Sequence, residues 1–275
     1  NSLKELYKYI SGILLFITAT SLAPEEKMRL IRTIVLAGLA ISLLAIYQYF
    51  FGFQHTLEYM AKEKAASSFA LDYIQRRRIF FPFVTPNLLA GYLIMIIHLS
   101  LINKNTSCFI IPLSFALLLT KSLGALLSIF AALVIYFYLS GKLGKRKGFM
   151  LLGLLIIIGL IFIVRSATQK EHLKPLFSTV MRLNYWKDAL QIIKARPLTG
   201  VGLGNFNLPL SRYAHNSYLQ IWAEMGIPGI LSVLWLIIVL LKSAFNNIKN
   251  SQNKKVVICL LSANAAFLLH NIMDF

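Results

Sequence analysis

Along this chain, apolar positions come in long unbroken blocks, not in the short periods of a soluble fold. Eight apolar stretches hold no Asp, Glu, Lys or Arg: 9–24, 33–57, 79–103, 105–120, 122–141, 148–164, 225–241 and 256–273. A helix crossing a bilayer core needs about 20 mostly apolar residues. Several runs reach that length, and the shorter ones reach it when flanking Lys and Arg snorkel to the interface. Run 148–164 lacks the polar stripe of period 3.6 that a soluble helix shows. The pattern predicts an all-α, polytopic integral membrane protein with about eight transmembrane helices and a helical outer loop over the membrane surface. One membrane domain is expected over 1–275. The first run ends in Ser21-Leu22-Ala23, which mimics a cleavage site, but Pro24 directly after it argues for a span. Because the chain opens on Asn1, a missing N-terminus is expected.

Composition agrees and adds a puzzle. Of 275 residues, 57% are hydrophobic and 14% charged, and mean hydropathy is +0.69. Yet 28 Lys and Arg stand against 10 Asp and Glu, a net charge of +18. Such a charge on a soluble domain suggests nucleic acid; on a chain this apolar it does not. Disorder and a disulfide scaffold are excluded as well. Cys108 and Cys259 lie in apolar runs and read as core residues.

Placing the charge resolves part of the puzzle. With eight spans, the short connections 24–32, 103–107, 142–147 and 242–255 share one side and hold 12 Lys/Arg. The positive-inside rule puts them in the cytoplasm. The long loops 54–87 and 165–216, and a turn at Lys121, then face outward. They carry 14 Lys/Arg and five acids. Topology gives no reason for that surplus. It meets either lipid phosphates or a specific anionic partner at the outer interface.

The second outer loop is the densest in candidate chemistry. Leu183, Trp186, Leu190 and Ile193 fall on one helical face, with Arg182, Lys187 and Lys194 off it. That predicts an amphipathic surface helix over 182–195, ended by Pro197. Gly200, Gly202 and Gly204 alternate in the turn that follows, with Asn205 next. They serve either loop geometry alone or an anion cradle of backbone N–H groups. His215, beside Asn216 where a polar loop meets a helix, is the best candidate base, since a neutral imidazole takes a hydroxyl proton near pH 7. No P-loop and no metal-ligand constellation is present, so neither a metal nor another cofactor is expected.

Several of these segments together resemble the O-antigen ligase and O-antigen polymerase family of bacterial envelope glycosyltransferases. Arg182 with Trp186, Gly200-Val-Gly-Leu-Gly-Asn-Phe206, His215-Asn-Ser-Tyr-Leu and Gly226-Ile-Pro-Gly are similar to its signature loop. Phe83-Val-Thr-Pro-Asn-Leu-Leu-Ala-Gly-Tyr92, with Arg78 upstream, resembles its Asn-containing span start. Lys121-Ser-Leu-Gly-Ala125 resembles its Ser-Arg-Gly-Ala turn, with Leu123 where the family has arginine. Leu269-His-Asn-Ile-Met-Asp-Phe275 resembles the end of the conserved region.

The resemblance implies transfer of a glycan from a polyprenyl pyrophosphate carrier to an acceptor hydroxyl, without a metal, at the outer face of the cytoplasmic membrane. The loop 165–216 would be the catalytic loop. His215 and Arg182 would be catalytic. Arg78, Lys121, Arg212, Gly202, Gly204 and Asn205 would bind the donor pyrophosphate. Asn87, Trp186, Asn216 and Glu224 would be structural or orient the acceptor. The acceptor would be a glycolipid, a glycan or a protein hydroxyl, which leaves ligase and polymerase both open. A transporter of lipid-linked glycan is the alternative of another class. The bilayer is an expected partner and nucleic acid is not.

Overall fold

The computed structural model describes residues 2–63, 68–141, 144–168, 175–207, 213–250 and 253–273. They form eleven α-helices: α1 (Ser2–Ser21), α2 (Pro24–Tyr47), α3 (Phe53–Glu63), α4 (Ser68–Gln75), α5 (Pro86–Ser100), α6 (Ile110–Thr120), α7 (Leu123–Leu139), α8 (Lys145–Thr168), α9 (Pro175–Ala195), α10 (Ser217–Asn250) and α11 (Lys254–Met273). A π-helical turn, Gln48–Gly52, joins α2 to α3, and a 3-10 turn, Lys104–Phe109, leads into α6. No strand occurs among the described residues. Two compact units result. One takes Asn1–Met28, Leu155–Gln252 and Asn271–Phe275; the other takes Arg29–Leu154 and Asn253–His270.

Four helical stretches are long and apolar enough to cross a membrane: Pro24–Tyr59, Lys145–Val164, Ser217–Ile248 and Lys254–Met273. Three apolar helical stretches are shorter: Pro86–Ser100, Lys104–Thr120 and Leu123–Leu139. The chain is thus a helical membrane protein, but eight full-length crossings are not established. The physical reason is local. Run 79–103 gives its first residues to a loop, because Thr85 caps α5 and Pro86 opens it, leaving a helix of 15 residues. Runs 105–120 and 122–141 are separate short helices, because Lys121 turns left-handed and Ser122 caps α7.

In the unit holding α5, that helix is apolar on every side and buried through Leu89, Ala90, Leu93, Ile94, Ile96 and Ile97, as expected of a helix enclosed by others. Gly91 makes room for the His270 ring, 2.9 Å from where a Cβ would stand. His270 Nε2 lies 3.1 Å from the Asn87 carbonyl oxygen. Lys255 Nζ donates to the Ile102 carbonyl at 2.9 Å, near the other end of α5. The two contacts fix α11 antiparallel to α5.

The other unit centres on α9 and the first turns of α10. Ala189, Ile193, Phe206, Ala214 and Ala223 are buried together, with Tyr185, Ile192, Leu219 and Trp222 packed around them. The expected helix over 182–195 is present and begins earlier, at Pro175. Its packed face matches the expected stripe only in part: Ile193 is buried and Trp186 half-buried, as expected. Leu183 and Leu190 are exposed, and Ala189, which the stripe omitted, is buried. The face is selected by the chain it meets: α10 and the loop residues Phe206 and Ala214 accept Tyr185, Ala189 and Ile192.

Candidate functional site

A break in α10 organises the loop around His215. Gly226 has φ +67° inside the helix, and Pro228 follows two residues later. Pro228 has no N–H to give the Glu224 carbonyl. The N–H of Ile227 turns to the Pro197 carbonyl at 2.9 Å instead of staying in the helix. The carbonyls of Ala223 and Glu224 are then taken by Val201 N–H and Gly202 N–H, each at 2.9 Å. In an apolar surrounding such freed groups must find partners, and the glycine loop supplies them.

This explains two of the glycines. Gly200 has φ +65°, and a Cβ there would collide with the Glu224 backbone; a Cβ on Gly226 would collide with the Leu198 carbonyl. The N–H groups of Gly202 and Gly204 are committed as well. Gly202 donates to the Glu224 carbonyl, and Gly204 donates to the Glu224 carboxyl at 2.8 Å. In this structure those N–H groups serve the loop's own fold, not an open anion cradle. The other carboxyl oxygen of Glu224 accepts from Gln220 Nε2 at 2.9 Å.

His215 is one of three described non-glycine residues with positive φ, at +51°; the others are Arg77 and Lys121. A residue held left-handed costs roughly 1–3 kcal/mol and persists only where its neighbours are fixed. Here both are. The N–H of Ala214 donates to Gln220 Oε1 at 3.2 Å. The Asn216 side chain accepts from Tyr218 N–H and Leu219 N–H, each at 3.0 Å, and so caps α10. Asn216 is therefore a structural cap.

The His215 ring stacks on Tyr185, with centroids 5.6 Å apart and planes 29° apart. Tyr185 stands three residues beyond Arg182 on α9, so the two share a helix face. The fold thus carries His215 to the helix that bears Arg182 and Trp186. Trp186 Nε1 is buried and has no hydrogen-bond partner among the described residues. Arg212 lies outside the described residues. Tyr185 and Gln220 were not singled out by the sequence, although Tyr185 sits inside the Arg182–Trp186 motif.

Asn205 is exposed in the glycine loop, with its Nδ2 donating to the Val201 carbonyl at 3.4 Å. Arg78, Asn87 and Lys121 belong to the other unit. Arg78 bridges two helix ends: its Nε donates to the Thr120 carbonyl at 2.9 Å, and its Nη2 donates to Asn87 Oδ1 at 2.8 Å. Its guanidinium also stands 5.7 Å from the Tyr73 ring centre. Asn87 is thereby the residue that orients Arg78. Lys121, left-handed at φ +54°, donates from Nζ to the Arg76 carbonyl at 2.6 Å. Gln48, buried, accepts from the N–H groups of Phe80 and Phe81 at 2.9 and 3.0 Å and pins the segment that presents Arg78. Among the described residues, no three His, Cys, Asp or Glu side chains are placed to hold a metal ion.

Residues 108–234 match the family described as O-antigen ligase. The match supports the family resemblance carried by the motifs. It takes in Lys121, Arg182, the glycine loop, His215 and Glu224, while Arg78 and Asn87 precede it. No curated protein matches the chain. The O-antigen ligase match, on a helical chain with four candidate spans, supports a membrane glycosyltransferase or ligase role.

Proposed function

We propose that the chain transfers a glycan from a polyprenyl pyrophosphate carrier to an acceptor hydroxyl, at the outer face of a bacterial cytoplasmic membrane. The observation that carries this reading is the stacking of His215 on Tyr185, on the helix of Arg182, within the stretch that matches O-antigen ligase. A ring nitrogen of His215 takes the proton of the acceptor hydroxyl. The hydroxyl oxygen forms a bond to the anomeric carbon as the bond from that carbon to the pyrophosphate oxygen breaks. Arg182 offsets the negative charge on the leaving pyrophosphate. The resemblance gives the same charge role to Arg78 and Lys121. The short basic connections face the cytoplasm on this reading.

The test is reconstitution in proteoliposomes with lipid-linked glycan extracted from the native membrane, plus acceptor from a strain lacking the gene. Release of polyprenyl pyrophosphate together with glycosylated acceptor supports transfer. Movement of the lipid-linked glycan across the bilayer with no bond cleaved makes the chain a transporter instead. The glycan of the deletion strain separates ligase from polymerase: polymer left on the carrier marks a ligase, and loss of polymer marks a polymerase.

A further inference from the structure

In the unit that holds α9 and α10, the glycine loop, the first turns of α10 and the start of α1 border an open cavity of about 610 Å³. That lies within the roughly 300–1,000 Å³ typical of ligand sites. Its lining is unlike a site for either end of a lipid pyrophosphate. Two lysines and two glutamates line it, so its charge is balanced, and Lys8 is already paired with Glu5 at 2.7 Å. A pyrophosphate needs a surplus of cations, and a polyprenyl tail needs an apolar groove. What the walls offer is amide, carboxyl and phenol: Asn205, Gln220, Glu224 and Tyr213.

We propose that this cavity binds a sugar unit of the glycan, its hydroxyls hydrogen-bonded by Glu224, Gln220 and Asn205 and its apolar face packed on Tyr213. The proposal rests on the transfer reading above and deepens it. Sugars present many hydroxyl donors and acceptors on a small rigid ring, and amides and carboxyls match both roles. Each Glu224 carboxyl oxygen already accepts one bond, from Gly204 N–H or Gln220 Nε2, and a carboxyl oxygen has room for a second. Those two bonds hold the carboxyl in place before a ligand arrives, which lowers the ordering cost of binding. Tyr213 lies two residues before His215, so the cavity wall continues into the segment that presents the imidazole.

Asn205 and Tyr213 are exposed, and the one bond from the Asn205 amide to the Val201 carbonyl is long at 3.4 Å, so their replacement is expected to spare the buried framework, which thermal unfolding of each variant checks. The experiment measures transfer in proteoliposomes by the purified full chain, with donor lipid from the native membrane and acceptor from the deletion strain. Asn205→Ala and Tyr213→Ala are compared with the unaltered protein. The expected result is a rise of about tenfold in KM for one of the two substrates, with kcat little changed. The substrate whose KM rises tells whether the sugar comes from the donor or the acceptor. Unchanged KM for both substrates in both variants overturns the sugar site while leaving the transfer reading standing. So does a fall in kcat alone. An unaltered protein that cleaves no donor overturns the transfer reading, and the sugar site with it.

Discussion

The carboxyl of Glu224 accepts a 2.8 Å hydrogen bond from the backbone N–H of Gly204, twenty residues before it in the chain. The Glu224 carbonyl accepts another, from Gly202 N–H. One residue on α10 thus ties down the loop through both its backbone and its side chain. It is 8% exposed, so neither bond competes freely with water.

Removing the carboxyl tests this tie. Glu224→Ala leaves Gly204 N–H and Gln220 Nε2 without that partner and is expected to cost about 1–3 kcal/mol. Glu224→Gln keeps an oxygen for Gly204 and is expected to cost less. Thermal unfolding in detergent micelles ranks the two. An unshifted Tm for the alanine variant would sink the assignment.

The glycine requirement is positional. Gly200→Ala and Gly226→Ala place a Cβ against backbone at positive φ, and each is expected to lose more than about 2 kcal/mol. A methyl group on Gly159 in α8 would meet nothing within 4 Å, so Gly159→Ala is expected to be neutral or to add up to about 1 kcal/mol. Thermal unfolding of the three variants checks this, and equal effects at the three sites would refute the close-approach argument.

Arg78 needs a fork. Its Nε and Nη2 point at partners on two helix ends, a geometry that a lysine ammonium does not reproduce. Arg78→Lys and Asn87→Ala are each expected to lower stability. Because they share one bond, their effects are expected to overlap by about 0.5–3 kcal/mol in a double-mutant cycle. Strict additivity would show that the pair is not coupled.

His215→Ala is expected to reduce transfer by about 10²–10⁴-fold with folding retained. Tyr185→Leu, which removes the stacked ring, is expected to act through His215. It should lower kcat by less, and should add nothing in the His215→Ala background. Arg182→Ala is expected to weaken donor use, read as kcat/KM for the lipid-linked substrate. Near-normal turnover of well-folded His215→Ala protein would remove the base assignment.

Much of the candidate site was legible as motifs, because its residues cluster in sequence: Arg182 with Trp186, the alternating glycines, and His215 with Asn216. What those glycines do was not. Alternation at 200, 202 and 204 suits either a ligand cradle or a close crossing, and only the broken helix at Gly226 shows where their N–H groups go. The amphipathic stripe was right at Trp186 and Ile193 and wrong at Leu183 and Leu190. Leu183 and Ala189 are both acceptable on a packed face, and the partner surface on α10 decides between them.

By itself, the sequence determined that this is a helical membrane chain. Runs without charge cannot be exposed to water at that length, and in lipid the backbone must bond to itself. It also pointed to one polar loop as the candidate site, since Arg182, Trp186, His215 and Asn216 cluster there. The tertiary structure alone decided how many runs make long helices, which α9 face is buried, and that Tyr185 meets His215 thirty residues away. It also decided that Glu224 closes the loop and lines a polar cavity. Those are long-range matters: a helix break frees particular carbonyls, and only the folded chain brings the groups that satisfy them.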